Sequence, residues 1–233
     1  MTDQRIEYTF LLPGERTEVF QVTLDADGLQ KTPTGNLPDW ARLEFNQCPN
    51  CPLKPDDSPY CPIAAQLADL VKRLDEVVSY DEIDLEIKTD ERTVSQRTTA
   101  QQGASALMGL IMATSGCPNT AYFRPMARFH LPLSSEQETF YRSASMYLLA
   151  QYYRRKAGEE PDFSLDGLRR IYEIVQVVNR HIAMRLRAAA KTDSAVNAVV
   201  LLDMFALVFP DAIEESLDDI RGLFRPFLDD NSN

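Results

Sequence analysis

Ile6-Glu7-Tyr8-Thr9-Phe10-Leu11-Leu12 is followed by Pro13-Gly14-Glu15-Arg16 and then by Thr17-Glu18-Val19-Phe20-Gln21-Val22-Thr23-Leu24. Ile6, Tyr8, Phe10 and Leu12 take every second place, Pro-Gly supplies a turn, and Phe20, Val22 and Leu24 resume the alternation. A strand sends successive side chains to opposite faces, so this pattern predicts a β-hairpin over 6–24 with one apolar face. A second hairpin is expected at 83–98. There Ile83, Leu85 and Ile87 alternate with Asp84, Glu86 and Lys88, Thr89-Asp90-Glu91-Arg92 turns, and Val94 begins a more polar return strand. Two hairpins make one small antiparallel sheet whose apolar face needs cover. The stretch 62–79 can supply it, with Ile63, Leu67, Leu70, Val71, Leu74 and Val78 at helical spacing.

Further along, the spacing is helical. Residues 99–115 carry Leu107, Met108, Leu110 and Ile111 and stop at Gly116, a residue suited to the left-handed position past a helix. Ser135 and Glu138 form a capping box for a helix running to about Lys156. After Gly158 and Pro161, Ser164 is expected to cap a long helix through about Ala190. Ser194 opens another that is apolar nearly all round and should be central. Pro210 is read as restarting a final amphipathic helix with Ile213, Leu217, Ile220 and Leu223. The expected fold class is α+β: a small antiparallel sheet of two hairpins packed with helices over 1–133, then a C-terminal helical bundle over 134–228, with 229–233 a disordered tail.

Composition narrows the function classes. The 233 residues are 44% hydrophobic and 25% charged, enough for a real core without staples. The net charge of −11 repels phosphate backbones, and the basic residues form no stripe, so nucleic acid is not expected as a partner. The N-terminus lacks the apolar core of a signal peptide, and Val196–Phe209, interrupted by Asn197 and Asp203, reads as too short to span a bilayer. The expectation is a cytoplasmic protein with no membrane partner. In a reducing cytosol, four cysteines point to metal ligation or redox work before a structural disulfide pair.

Those four cysteines are Cys48, Cys51, Cys61 and Cys117, and each precedes a proline. Cys48-Pro49-Asn50-Cys51 has the spacing with which two sulfurs grip one ion, and four thiolates suit tetrahedral zinc or an iron-sulfur cluster. Pro62 opens a helix directly after Cys61, where the positive end of the helix dipole should lower the thiol pKa. Cys117 falls on a loop beyond a helix end, free to aim its sulfur away from the core. The expected cofactor is a zinc ion, with an iron-sulfur cluster as the alternative and metal-free thiols as the third reading. Pro52 stands where a zinc knuckle commonly has glycine, which weakens that variant. The gap from Cys61 to Cys117 demands that the second hairpin and a whole helix fold back.

Arg124, Arg128 and His130 concentrate positive charge in an acidic chain. They are candidate ligands for a carboxylate or phosphate, with His130 as proton carrier, against the simpler reading of structural ion pairs. Thr98 to Gly103 joins a strand to a helix and is better explained by capping than by anion binding. The small residues Gly103, Ala106, Gly109 and Ala113 suit either close helix packing or a bound cofactor. His181, with Asn179, Arg180 and Arg185, is read as a solvated helix face. No Gly-x-Ser-x-Gly, His-Glu-x-x-His, Walker or kinase motif is present.

Gln47-Cys48-Pro49-Asn50-Cys51-Pro52-Leu53, Ser115-Gly116-Cys117-Pro118-Asn119-Thr120 and Arg124-Pro125-Met126-Ala127-Arg128-Phe129-His130 together resemble a family of uncharacterised bacterial proteins, a domain of unknown function. The resemblance covers most of the chain. It implies a bacterial cytosolic setting and no mechanism. Three expectations follow: a cytosolic metal-binding interaction or regulatory module, an iron-sulfur redox protein or sensor, or an enzyme acting on a small acidic molecule near Arg124, Arg128 and His130. The partner is correspondingly an unknown protein or a small acidic ligand.

Overall fold

The computed structural model describes residues 3–33 and 35–229, so all of the expected tail except Asp229 lies outside the described residues. Both hairpins form. β1 (Gln4–Leu12) pairs with β2 (Arg16–Leu24), and β3 (Glu82–Thr89) pairs with β4 (Thr93–Thr99). The two join through β1 and β3 into one antiparallel sheet of order β2-β1-β3-β4, with Tyr8 opposite both Phe20 and Ile87. The alternation dictates the result: Ile6, Tyr8, Phe10, Phe20, Val22, Ile83, Leu85 and Ile87 are all buried on one face.

Two helices cover that face. α1 (Pro62–Arg73) contributes Ile63, Leu67, Leu70 and Val71 to the core, and its last residue, Arg73, stacks over the Phe20 ring and pairs with Glu18 at the β2 edge. It ends six residues earlier than the apolar spacing suggests. Leu74 and Val77 stay buried in a turn that the Asp81 carboxylate holds through the Val78 N–H. α2 (Ala100–Thr114) is capped by the Thr99 hydroxyl and ends before Gly116 at φ 92°, as its end signals predict. Gly103 is the point of closest approach. A Cβ there would stand 3.0 Å from Phe10 and 3.1 Å from Ile83, so helix packing explains this glycine.

Beyond the short α3 (Arg124–Arg128), the long helices are α4 (Glu136–Lys156), α5 (Asp166–Ala189) and α6 (Ser194–Ile220), with a last turn α7 (Arg225–Leu228). The Ser135/Glu138 capping box is present in full. Ser164 is not the N-cap residue of α5, although its hydroxyl accepts from the Asp166 N–H at 3.4 Å. Leu165 holds the N-cap position in a left-handed conformation with no side-chain cap bond, while Asp162 gathers the Ser164 and Gly167 N–H groups and the Tyr147 hydroxyl. A second core joins Phe140, Tyr172 and Phe209, whose rings stack, with Leu168, Ala206 and Ile213. The first core takes in Val178, Ile182 and Leu186 of α5 and Ala195, Ala198 and Val199 of α6, so the bundle and the sheet share it.

α6 departs from expectation twice. Pro210 restarts nothing: it lies inside one continuous helix, where its carbonyl accepts from Arg169 Nε at 3.2 Å. Nor is the helix central, because Met204, Leu207 and Val208 are exposed. The stretch Ser194–Leu228 is thereby long and apolar enough to cross a membrane by length and composition, with 28% of its most apolar window buried within the structure. The helix therefore extends the apolar run beyond Phe209, the end that the sequence pattern suggests.

Candidate metal centre

The cysteines sit on three loops that the fold draws together. Cys48 and Cys51 share a tight turn closed by Cys51 N–H donating to the Cys48 carbonyl at 3.0 Å. Cys61 is the N-cap residue of α1, anchored by its own N–H to the Ala41 carbonyl at 2.8 Å. Cys117 follows α2, and Asn119 two residues on donates to the Asn50 carbonyl at 3.1 Å, tying the third loop to the first. The second hairpin and α2 do fold back across the long gap.

The four thiols lie within electrostatic reach of one another. The Cys48 pKa is pushed up to about 12, first by burial and then by Cys61, Cys117 and Cys51. Burial also raises Cys61 and Cys117. The expected lowering at the α1 N-terminus is therefore overcome. The Ala64 and Ile63 N–H groups do favour the Cys61 thiolate, but removing it from water costs more. Cys117 is likewise buried, not aimed away from the core. Both sulfurs share one local geometry. Cys61 accepts from the amides two and three residues on, and Cys117 does the same with Asn119 and Thr120. A proline directly after each cysteine removes the intervening N–H and fixes φ, which leaves those two amides to face the sulfur.

Among the described residues no set of three or more His, Cys, Asp or Glu side chains is already arranged as a ligand shell. The thiols are neighbours, not a formed tetrahedron. One residue that the sequence pattern does not single out lies beside the cysteines. Arg185 of α5 is 1% exposed, and its guanidinium donates only to main-chain carbonyls: Nη1 to Trp40 and Arg42, both at 2.7 Å, and Nη2 to Leu43 at 2.8 Å. Its Nε has no partner, and no carboxylate pairs with it among the described residues. Burial is the largest influence on its pKa and works to lower it, while Cys61, Cys48 and Cys51 oppose. The supposed solvated face of α5 is thus a correction: Asn179 and Arg185 are both buried, and His181 bonds the Asn46 carbonyl at 3.2 Å. The missed signal was positional. Arg185 stands three and seven residues after Ile182 and Val178, on the stripe that enters the core.

The second candidate set is dispersed. His130 lines a cavity between α2 and α6, whereas Arg124 and Arg128 do not. Tyr8, fully buried, forms a short hydrogen bond with His130 Nε2. Burial, then the Arg142 charge, holds the imidazole pKa at about 3, and burial raises that of Tyr8. The imidazole is therefore neutral, and the phenol donates.

A four-stranded antiparallel sheet covered by helices, with a cysteine cluster at the meeting of three loops, defines an α+β protein. The chain belongs to the family described as "Domain of unknown function (DUF6901)", which it matches over residues 6–225. No curated protein and no solved structure matches it.

Proposed function

We propose that this chain is a cytosolic metal-binding protein in which Cys48, Cys51, Cys61 and Cys117 hold one zinc ion, serving as an interaction or regulatory module. The observation that carries the reading is a buried arginine with no carboxylate among the described residues, within electrostatic reach of Cys61, Cys48 and Cys51. Four thiolates around a divalent ion leave a net negative charge, and an uncompensated charge in a core is costly. Arg185 supplies the opposite sign, and the amides facing Cys61 and Cys117 support thiolate over thiol. A bound ion would also relieve the mutual repulsion that adds to burial in raising Cys48. Four protein ligands leave no open position, which favours a structural role over a catalytic one. An iron-sulfur cluster would draw on the same ligands and the same countercharge.

Elemental analysis and an ultraviolet-visible spectrum of chelator-free, anaerobically purified protein decide the matter. We expect a colourless protein with stoichiometric zinc that is lost in Cys117→Ser. A brown protein with iron and sulfide, bleached in that variant, would establish the iron-sulfur form and point to redox partners. Protein that takes up neither metal would overturn the proposal.

A further inference from the structure

Between the α2–sheet layer and the helical bundle lies a cavity of about 410 Å3, within the size range of small-molecule sites. It exists because α2 offers Ala106 and Gly109 where larger residues would fill the space, while Leu110 on α2 and Leu202 and Phe205 on α6 make apolar walls. A Cβ at Gly109 would meet nothing closer than 3.7 Å, so helix packing does not require glycine there.

Two polar groups on the lining stand out, a cation with no ion pair among the described residues and a buried acceptor with no donor. Arg142 donates from Nη2 to the Met126 and Phe129 carbonyls at 2.9 and 3.0 Å, and from Nη1 to Leu131 at 3.5 Å. It makes no ion pair among the described residues, because Glu138, one turn earlier, is committed to capping α4. Asn179 is 1% exposed, and its Oδ1 has no donor. Several other lining groups already have partners: Tyr172 bonds Ser143 at 2.7 Å, His130 bonds Tyr8, and Gln102 accepts from Thr98 at 2.7 Å. A buried acceptor without a donor costs about 1–3 kcal/mol, and native structures keep few of them.

We propose that this cavity binds a small amphipathic carboxylic acid, with its apolar body between α2 and α6, its carboxylate on Arg142, and a hydroxyl or N–H donor at Asn179 Oδ1. Tyr172, whose hydroxyl reaches Ser143 beside Arg142, and Asn179 are seven residues apart on α5, about 10 Å at 1.5 Å per residue. A medium-length alkyl chain spans that rise along the cavity wall. The site shares no residue with the four cysteines and stands or falls without them.

Calorimetric titration of the full chain with 10-hydroxydecanoate, decanoate and decan-1-ol tests the assignment. Decanoate should bind at least tenfold tighter than decan-1-ol, and 10-hydroxydecanoate tighter still. Arg142→Met should reduce decanoate to the level of the alcohol, and Asn179→Leu should erase the advantage of the hydroxy acid. Ala106→Phe, which fills the cavity from the opposite wall, should abolish binding of all three with the circular dichroism unchanged. Equal affinity for acid and alcohol, binding that survives Ala106→Phe, or no binding of any of the three would overturn the proposal.

Discussion

Replacing Arg185 with methionine separates a structural arginine from a countercharge. The substitution keeps the aliphatic stem and removes the guanidinium, so the carbonyls of Trp40 and Leu43 lose their donor, while that of Arg42 keeps the Phe45 N–H at 3.2 Å. Each orphaned buried acceptor costs about 1–3 kcal/mol, but the buried cation and its desolvation penalty of several kcal/mol disappear as well. The metal-free protein should therefore lose only about 2 kcal/mol. The metal-loaded protein should lose more, because its anionic thiolate centre keeps no opposite charge. One unit-charge interaction at about 8 Å in an effective dielectric of about 20 is worth about 2 kcal/mol, roughly a thirtyfold change in affinity. Competition with a chromophoric zinc chelator at fixed pH gives the affinity, and urea denaturation of metal-free protein gives the stability. A variant that is less stable but binds zinc as tightly as the parent would refute the countercharge role and leave Arg185 as a clamp on the 40–43 turn.

Other consequences are separately measurable. Cys48→Ser should remove the metal-dependent rise in melting temperature while leaving metal-free stability within about 1 kcal/mol, since the thiol is only half-buried; thermal scans with and without zinc check this. His130 is held neutral in the fold, so its contribution is present above its ordinary pKa of 6.5 and lost as pH falls towards about 3. His130→Asn should flatten the acid limb of the stability curve over that window by on the order of 4 kcal/mol, measured as the difference between variant and parent in urea titrations at each pH. Gly167→Ala would set a Cβ 1.9 Å from the Tyr147 hydroxyl, which is pinned to Asp162. The ring must move and the bond to Asp162 break, for a loss of about 2 kcal/mol in chemical denaturation.

Elements whose physics is local were readable along the chain. The 6–24 hairpin follows from period-two alternation about Pro13-Gly14, and the α4 start follows from Ser135 and Glu138, because strand faces and caps are settled within a few residues. Pro210 misled for the opposite reason. Its local signal is a helix break, but packing of α6 on α5 and the second core keeps the helix continuous through it. The length of α6 and the apolar face it exposes are therefore tertiary facts.

The candidate metal centre divides in the same way. Count and Cys-x-x-Cys spacing singled out the four cysteines, since ligand chemistry is a property of residue types. Only the folded chain decided that Cys117 returns to the first loop, that burial outweighs the helix dipole at Cys61, and that Arg185 enters the core beside them. Likewise, Arg124, Arg128 and His130 adjoin in sequence, yet only His130 reaches the cavity, where Arg142 and Asn179 arrive from α4 and α5. Residue types declare what chemistry a chain is able to do. Desolvation and charge pairing are sums over neighbours distant in sequence, so only tertiary structure could place Arg185 beside the cysteines and Arg142 and Asn179 on the cavity wall.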